Sequence, residues 1–210
     1  MELYRFFYYS VLWVNFLPIL FFIFLFNKRK NLSYLIFLRF LISSLTQWIV
    51  YFFAINGQSS YYIVNGYILI DFLAISSVYS FQLKDKNFNY LLAISVIVFG
   101  IMYFIDFKLD TLMQNALITS AVIYAIWSLY ALVGQISTHS IKRDNDHIMW
   151  LFNFSILIYF SGSVFMFFVF DYLNSSNYSI WTAHNILEII SNLIISYAFW
   201  KQRSKSISLN

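Results

Sequence analysis

The stretch NYLLAISVIVFGIMYFIDF, residues 89–107, is a long apolar run whose only charged residue, Asp106, stands next to its end. A helix of about 20 apolar residues spans the hydrocarbon core of a membrane. Inside lipid only helices and closed barrels satisfy every backbone hydrogen-bonding group, and barrel strands alternate apolar with polar residues. Because this run is continuous and does not alternate, it predicts a transmembrane helix.

Similar apolar runs lie on both sides of this stretch. The chain has 61% hydrophobic and 10% charged residues, against about 25% charged residues in an ordinary soluble domain. We therefore predict an all-α membrane protein in which residues 1–210 form a single domain, a bundle of seven transmembrane helices. The predicted spans are residues 6–26, 33–55, 61–83, 89–107, 111–133, 147–173 and 178–201.

Lysine and arginine residues are distributed unevenly between the two sides of these spans. Of the 13, Arg5 and Lys108 lie on one side, and Arg39 lies within a span. The other ten lie on the opposite side: Lys28, Arg29, Lys30, Lys84, Lys86, Lys142, Arg143, Lys201, Arg203 and Lys205. Because cytoplasmic loops are enriched in basic residues, we predict an N-terminus outside and a C-terminus in the cytoplasm. This placement accounts for the net charge of +4, so nucleic-acid binding is not expected.

Three charged residues lie inside predicted spans: Arg39, Asp71 and Glu188. A charge at mid-membrane costs about 2.5–3.5 kcal/mol even on a lenient insertion scale. Asp71 and Glu188 each lie about 15 Å into their spans at the helical rise, and Arg39 lies about 9 Å deep. The long Arg39 side chain can reach either acid, and the sequence leaves both pairings open.

A polar stripe accompanies Glu188 in the last span. Residues three and four apart lie on one face of a helix. This spacing relates His184, Asn185, Glu188, Ser191 and Asn192. We predict that these helices form an intramembrane polar pocket that binds a ligand or an ion. Its predicted members are Arg39, Gln47, Asp71, Asn153, His184, Asn185, Glu188 and Asn192.

Two other features are expected to be structural. Pro18, the one proline of the chain, is expected to kink the first span. The small residues Ser161, Gly162 and Ser163 predict a point at which two helices pack closely. Most serine and threonine hydroxyls in the spans are expected to fasten helices by hydrogen bonds.

Metal and cofactor chemistry is not expected. The chain has no cysteine, which excludes thiolate sites. His184 and Glu188 have ligand-like spacing, but zinc needs at least three protein ligands, and His139 and His147 lie at a cytoplasmic loop. Microbial rhodopsins hold retinal on a lysine of the last helix, and the last span has no interior lysine. We predict neither a metal nor another cofactor.

A weak parallel repeat, of a kind found in transporters, is a further prediction. Arg39 follows Arg29 by ten residues, as Asn153 follows Arg143. Spans one to three would then correspond to spans five to seven, with span four as the connector.

The second half of the chain resembles an uncharacterised family of small seven-helix bacterial inner-membrane proteins. The resemblance lies in IDFKLDTLMQNALI (residues 105–118), LFNFSILIYFSGSVFMFFVF (residues 151–170) and IWTAHNILEIISNLIISYAFW (residues 180–200). It extends more loosely to the first half through Arg39 and Asp71. The resemblance implies a multi-pass protein of the bacterial inner membrane and implies no activity.

Three functions remain open at this point. The first is a sensory or partner-binding membrane protein whose interior binds a small molecule or a lipid. The loop at residues 134–146, with His139, Lys142 and Arg143, would then bind a cytoplasmic protein. The second is a small transporter or channel in which Asp71 and Glu188 couple to a proton or another cation. The third, which we do not favour, is an intramembrane lipid-modifying enzyme that uses Asp71, Glu188 and His184.

Overall fold

A computed structural model describes residues 2–25, 31–137, 144–170 and 178–207. Within these ranges every regular element is a helix, and the chain forms eight helical segments. The segments are α1 (Glu2–Val14), α2 (Leu17–Leu25), α3 (Asn31–Ile55), α4 (Tyr61–Gln82), α5 (Lys86–Ile105), α6 (Gln114–Ser137), α7 (Asp144–Phe170) and α8 (Tyr178–Ile207). The all-α prediction is confirmed for these ranges.

Six of the seven predicted spans are confirmed as helices that are long and apolar enough to cross a membrane, within the described part of the chain. The first of these stretches includes residues of both α1 and α2. The stretches are Arg5–Phe24, Leu32–Ile55, Tyr61–Gln82, Lys86–Ile105, Gln114–Ser137 and His147–Phe167. These six helices indicate a membrane-embedded protein.

The predicted seventh span forms a helix, α8, but α8 is not among the six apolar stretches. Polar residues at its centre are the reason, because His184, Asn185, Glu188 and Asn192 replace apolar side chains over two turns. The crossing by α8 therefore stays a prediction. The orientation with an outer N-terminus and an inner C-terminus also stays a prediction, since it needs an odd number of crossings.

The first span is broken at Asn15 and Phe16, between α1 and α2. Pro18 has no N–H to donate to the carbonyl of Val14, and its ring clashes with that carbonyl in a regular helix. Helical hydrogen bonding resumes where the amide of Leu20 donates to the carbonyl of Phe16 over 2.9 Å. The distortion expected at Pro18 is thus confirmed, as a break just before the proline.

The chain divides into two compact units, which we describe separately. Unit 1 comprises Met1–Arg29 and Tyr124–Asn210, and unit 2 comprises Lys30–Ile123. This division does not follow the predicted repeat, which groups spans one to three and five to seven. The landmarks Arg29 and Arg143 lie outside the described residues, as do residues 138–143 of the predicted docking loop. The repeat gains no support from the fold.

In unit 1, α8 packs against α7, α1 and α2. The ring of Phe199 on α8 meets the ring of Phe22 on α2 edge-on, with centroids 5.5 Å apart. A β-carbon added at Gly162 on α7 would overlap the side chain of Leu187 on α8. The close packing predicted at Ser161, Gly162 and Ser163 is confirmed at the glycine.

In unit 2, α4 packs against both α3 and α5. Phe72 on α4 stacks on Phe99 of α5, with ring centroids 3.8 Å apart and planes 9° apart. The turn from α3 to α4 passes through Gly57 at a φ of 66°, a backbone conformation that glycine adopts without steric cost. This turn returns the chain antiparallel to α3 and so brings the polar residues of α3 and α4 together.

Candidate functional site

An ion pair joins α3 to α4 within unit 2. The Nε atom of Arg39 donates to Oδ1 of Asp71 over 3.0 Å, and both side chains are 8% exposed. The hydroxyl of Tyr67, one turn before Asp71, donates to the same oxygen over 3.1 Å. The guanidinium carbon of Arg39 also lies 4.9 Å from the ring centroid of Phe40. Of the two pairings that the sequence left open, the structure contains Arg39–Asp71.

The surroundings of this ion pair indicate that it holds α3 against α4. Two opposite charges in a medium of low dielectric constant attract strongly, and their attraction offsets the loss of hydration only when the geometry is good. Here a charge-assisted hydrogen bond and a tyrosine hydroxyl converge on one carboxylate oxygen. The carboxylate of Asp71 is therefore engaged by protein groups from α3 and α4.

Asn65, one and a half turns before Asp71, holds the loop between α5 and α6. Its Nδ2 atom donates to the carbonyls of Lys108 and Thr111, both over 2.8 Å. Its Oδ1 atom accepts from the amide of Met113 over 3.1 Å. Asn65 is 2% exposed, so a buried amide supplies the hydrogen bonds that this irregular backbone would otherwise lack.

Asp106 begins the same loop and stabilises the start of α6. Its Oδ2 atom accepts from the amides of Asn115 over 2.9 Å and of Ala116 over 3.4 Å. A carboxylate at a helix N-terminus satisfies amides that have no partner within the helix and interacts favourably with the helix dipole. The sequence gives no signal for this role, because Asp106 precedes Gln114 by eight residues.

A second polar cluster lies in unit 1, where α8 meets the break in the first span. The Nδ2 atom of Asn15 donates to Oε1 of Glu188 over 3.1 Å. The Nδ2 atom of Asn192 donates to Oδ1 of Asn15 and to the backbone carbonyl of Glu188. The side-chain amide of Asn15 thus bridges two members of the predicted stripe. We call Asn15, Asn185, Glu188 and Asn192 the α8 cluster.

Two amide atoms in the α8 cluster are buried and have no hydrogen-bond partner among the described residues. They are Nδ2 of Asn185 and Oδ1 of Asn192, on side chains that are 7% and 3% exposed. Asn185 and Asn192 are seven residues apart, so both lie on the face of α8 that carries Glu188. The side chain of Glu188 is half-buried. One amide donor and one amide acceptor without a partner among the described residues therefore lie on the same face as the half-buried Glu188.

His184 lies at the edge of the stripe that faces α7. Its Nε2 atom is 3.3 Å from the hydroxyl of Tyr159, and its Nδ1 atom is 3.5 Å from that of Ser163. Its ring is surrounded by the rings of Tyr159, Phe167 and Trp181, with centroids 5.4, 6.0 and 6.2 Å away. His184 is therefore held between α7 and α8 by contacts on several sides.

The contact between Ser163 and His184 does not form a nucleophile and its base. A catalytic serine needs its hydroxyl directed at the base and reachable by substrate. Ser163 is 1% exposed, and its hydroxyl donates to the carbonyl of Tyr159 over 2.8 Å. In the described part of the chain, no three histidine or carboxylate side chains gather in a metal-binding arrangement.

Ser155 and Ser191 fasten α7 to α8. Their hydroxyls are 2.6 Å apart, and the hydroxyl of Ser155 also donates to the carbonyl of Ser191 over 3.1 Å. Ser191 belongs to the predicted stripe, and its role is the interhelical hydrogen bond expected of membrane serines.

The remaining predicted site residues fall into both units. Gln47 is half-buried on α3 in unit 2. Asn153 on α7 is fully buried, and neither its Nδ2 nor its Oδ1 atom has a hydrogen-bond partner among the described residues. Hydrogen bonds join Arg39 to Asp71 in unit 2, and Glu188 and Asn192 to Asn15 in unit 1.

Comparisons with protein-family models, with curated proteins and with solved structures found no match to this chain.

Proposed function

We propose that this chain is a sensory or partner-binding membrane protein whose recognition site is the α8 cluster. The observation that carries the proposal is a pair of buried amide atoms without a hydrogen-bond partner in the part of the chain that the structure describes. They are Nδ2 of Asn185 and Oδ1 of Asn192, on the same helix face as the half-buried Glu188. A buried polar group without a partner costs about 1–3 kcal/mol. A ligand that satisfies both amides offsets this cost.

The chemistry of the cluster defines the class of ligand. Asn185 offers a donor, and Asn192 and Glu188 offer acceptors, so a suitable ligand presents hydroxyl or ammonium groups. Such a group reaches the cluster within the membrane, on a small amphiphilic molecule or on a lipid. The break between α1 and α2 places Asn15 opposite α8, so a bound ligand contacts a helix whose hydrogen bonding is already interrupted. A movement of α1 relative to α2 at this break is a means by which ligand binding changes the conformation of the first span.

The proposal includes seven crossings, with the N-terminus outside and the C-terminus in the cytoplasm of a bacterial cell. The uneven distribution of basic residues supports this orientation, and the resemblance of residues 105–118, 151–170 and 180–200 supports the bacterial inner membrane. The basic loop at residues 134–146 is then the surface on which a cytoplasmic partner protein binds.

Transport of a proton or another cation is the second candidate. A broken helix beside a membrane carboxylate favours it, because transporters build ion sites from interrupted helices. Asn15 in the break contacts Glu188. The engagement of Asp71 with Arg39 and Tyr67 speaks against a mechanism that uses both acids. Recognition at the α8 cluster therefore remains the first proposal.

Native mass spectrometry of the protein purified from its own membrane tests recognition. We expect a co-purifying small molecule that dissociates on activation. Asn185→Leu removes a donor at nearly constant volume and should lower its occupancy about tenfold, as expected for the loss of about 1.4 kcal/mol of binding free energy. Asn89→Leu, at an exposed amide of α5, is the matched control and should leave the occupancy unchanged.

Two outcomes would contradict recognition. If Asn185→Leu raises thermal stability and no molecule co-purifies, the unpartnered amide is a structural defect and not a ligand site. If proteoliposomes carry a cation flux that Glu188→Gln abolishes and Asp110→Asn preserves, transport replaces recognition. Asp110 lies in an exposed loop and controls for the loss of a carboxylate charge.

A further inference from the structure

The side-chain amide of Asn153 is enclosed on the face of α7 that is turned away from α8. Asn153 is 0% exposed, and neither its Nδ2 nor its Oδ1 atom has a hydrogen-bond partner among the described residues. Ser155, which bonds to Ser191 on α8, comes two residues later, which is about 200° around the helix. Asn153 therefore faces away from α8 and lies apart from the α8 cluster.

The face of α7 that carries Asn153 contacts α6. Phe160 lies seven residues after Asn153, which is about two helical turns, and so on the same face. Its ring centroid is 4.6 Å from that of Tyr124 on α6, in an edge-on contact. Tyr124 and the residues of α6 that follow it belong to unit 1, as α7 does. Residues 138–143 separate the two helices, and so short a connection makes consecutive helices antiparallel.

A second buried amide atom lies on the stripe of α6 that begins at Tyr124. Gln135 follows Tyr124 by eleven residues, which is about three turns. The Oε1 atom of Gln135 is buried and has no hydrogen-bond partner in the described part of the chain. Between them on the stripe are Ser128 and Ala131, which are small and buried. The stripe therefore places a second orphaned amide atom on the side of α6 that contacts α7.

The antiparallel arrangement brings the two amides toward one level. From the contact between Tyr124 and Phe160, Asn153 lies about 10.5 Å along α7, and Gln135 lies about 16.5 Å along α6 in the same direction. Side chains tilt toward the N-terminus of their own helix. Because the N-termini are at opposite ends, Gln135 tilts back toward the level of Asn153, while Asn153 tilts toward Gln135. The difference of about 6 Å along the axes is thus reduced.

The three orphaned atoms have the chemistry of a water site. Nδ2 of Asn153 is a donor, and Oδ1 of Asn153 and Oε1 of Gln135 are acceptors. A buried water makes about three hydrogen bonds, to polar groups that otherwise lack partners. Because the amide of Asn153 is fully enclosed, a ligand enters only through small movements of side chains. Water is the smallest molecule that both donates and accepts hydrogen bonds.

We propose that water binds between α6 and α7 and links Asn153 to Gln135. The water accepts a hydrogen bond from Nδ2 of Asn153 and donates to Oε1 of Gln135 and to Oδ1 of Asn153. It thereby joins two helices through amides that make no direct hydrogen bond with each other. The site lies on the opposite face of α7 from α8, so it is independent of ligand binding at the α8 cluster.

X-ray radiolytic footprinting of the full-length protein tests this site. Hydroxyl radicals formed from a bound water oxidise the side chains next to it, while buried side chains without adjacent water stay protected. Met149 is the reporter, because it is 2% exposed and lies one turn before Asn153 on the same face. Met113, 0% exposed in the loop between α5 and α6, is the internal reference. We expect Met149 to be oxidised severalfold faster than Met113.

Two variants connect this oxidation to the amides. Asn153→Leu removes the amide at nearly constant volume and should lower the oxidation rate of Met149 to that of Met113. Gln135→Leu should also lower this rate, and it serves if Asn153→Leu does not fold. Asn89→Leu, at an exposed amide of α5, is the matched control and should leave both rates unchanged.

Two results would overturn the inference. Equal protection of Met149 and Met113 in the unaltered protein would mean that the interface between α6 and α7 is dry. Oxidation of Met149 that persists in both amide variants would mean that the water near it does not depend on Asn153 and Gln135.

Discussion

Arg39 and Asp71 form a buried ion pair in which Nε of the arginine donates to Oδ1 of the aspartate over 3.0 Å. The pair joins two consecutive helices, α3 and α4, that the turn at Gly57 returns against each other. Its partners are supplied locally, because Tyr67 lies one turn before Asp71 and Phe40 is next to Arg39. A charge whose presence in a bilayer costs free energy is thereby paired, and the pair stabilises the packing of α3 against α4.

The stability of the protein should depend on this pair in a non-additive way. Asp71→Leu or Arg39→Met leaves one buried charge without its partner and should lower the free energy of unfolding by about 3–5 kcal/mol. The double variant removes both charges and should lose much less than the sum. Denaturation by SDS in mixed micelles, followed by circular dichroism, measures this cycle. Arg5→Met, at an exposed position, controls for the loss of a cation.

Losses that add up in the double variant would show that the two residues act independently. That result would contradict the role of the ion pair in holding α3 against α4.

The loop between α5 and α6 should lose order when Asn65 is replaced. Asn65→Leu removes two donated hydrogen bonds and one accepted bond, and should lower the free energy of unfolding by about 3 kcal/mol. Hydrogen–deuterium exchange should accelerate at the amide of Met113. Asn56→Leu is the control, since Asn56 is exposed and its side-chain amide donates to the carbonyl of Phe52 within its own turn. An unchanged rate of hydrogen–deuterium exchange at the amide of Met113 would contradict the role of Asn65 in holding this loop.

The contact between Gly162 and Leu187 should set the distance between α7 and α8. Gly162→Val places atoms where the side chain of Leu187 lies, and overpacking of this kind costs about 1–3 kcal/mol. Leu187→Ala should restore part of the loss in the double variant. Gly100→Val tests the glycine substitution itself, because no atom lies within contact distance of a β-carbon there. If Leu187→Ala deepens the loss, the two positions do not share one contact.

The sequence predicts the helices well because apolar runs and basic loops are local properties. It also identifies Arg39, Asp71 and Glu188 as residues that need partners. Local sequence pattern cannot predict which residues these partners are, because Glu188 contacts Asn15, which is 173 residues away along the chain. That contact depends on the break before Pro18 and on the packing of the first span against α8. Asp106 and Asn65 act on loop backbone, for which no periodic pattern exists.

The seventh crossing is where local pattern fails most clearly. The polar residues that make α8 a candidate site also lower its hydropathy below that of the other six helices. An internal polar stripe and a helix that stays outside the membrane give the same composition. The location of the C-terminal tail distinguishes them.

Cysteine labelling measures that location directly, because the chain has no cysteine of its own. Single variants Lys84→Cys, Asp110→Cys and Ser206→Cys are labelled in intact cells with a maleimide that does not cross membranes. With seven crossings, Asp110→Cys should react, while Lys84→Cys and Ser206→Cys should react only after the membrane is permeabilised. Lys84 and Asp110 are exposed positions on opposite ends of α5, so they calibrate both sides. A Ser206→Cys variant that labels together with Asp110→Cys would mean that α8 does not cross, and the predicted cytoplasmic C-terminus would be wrong.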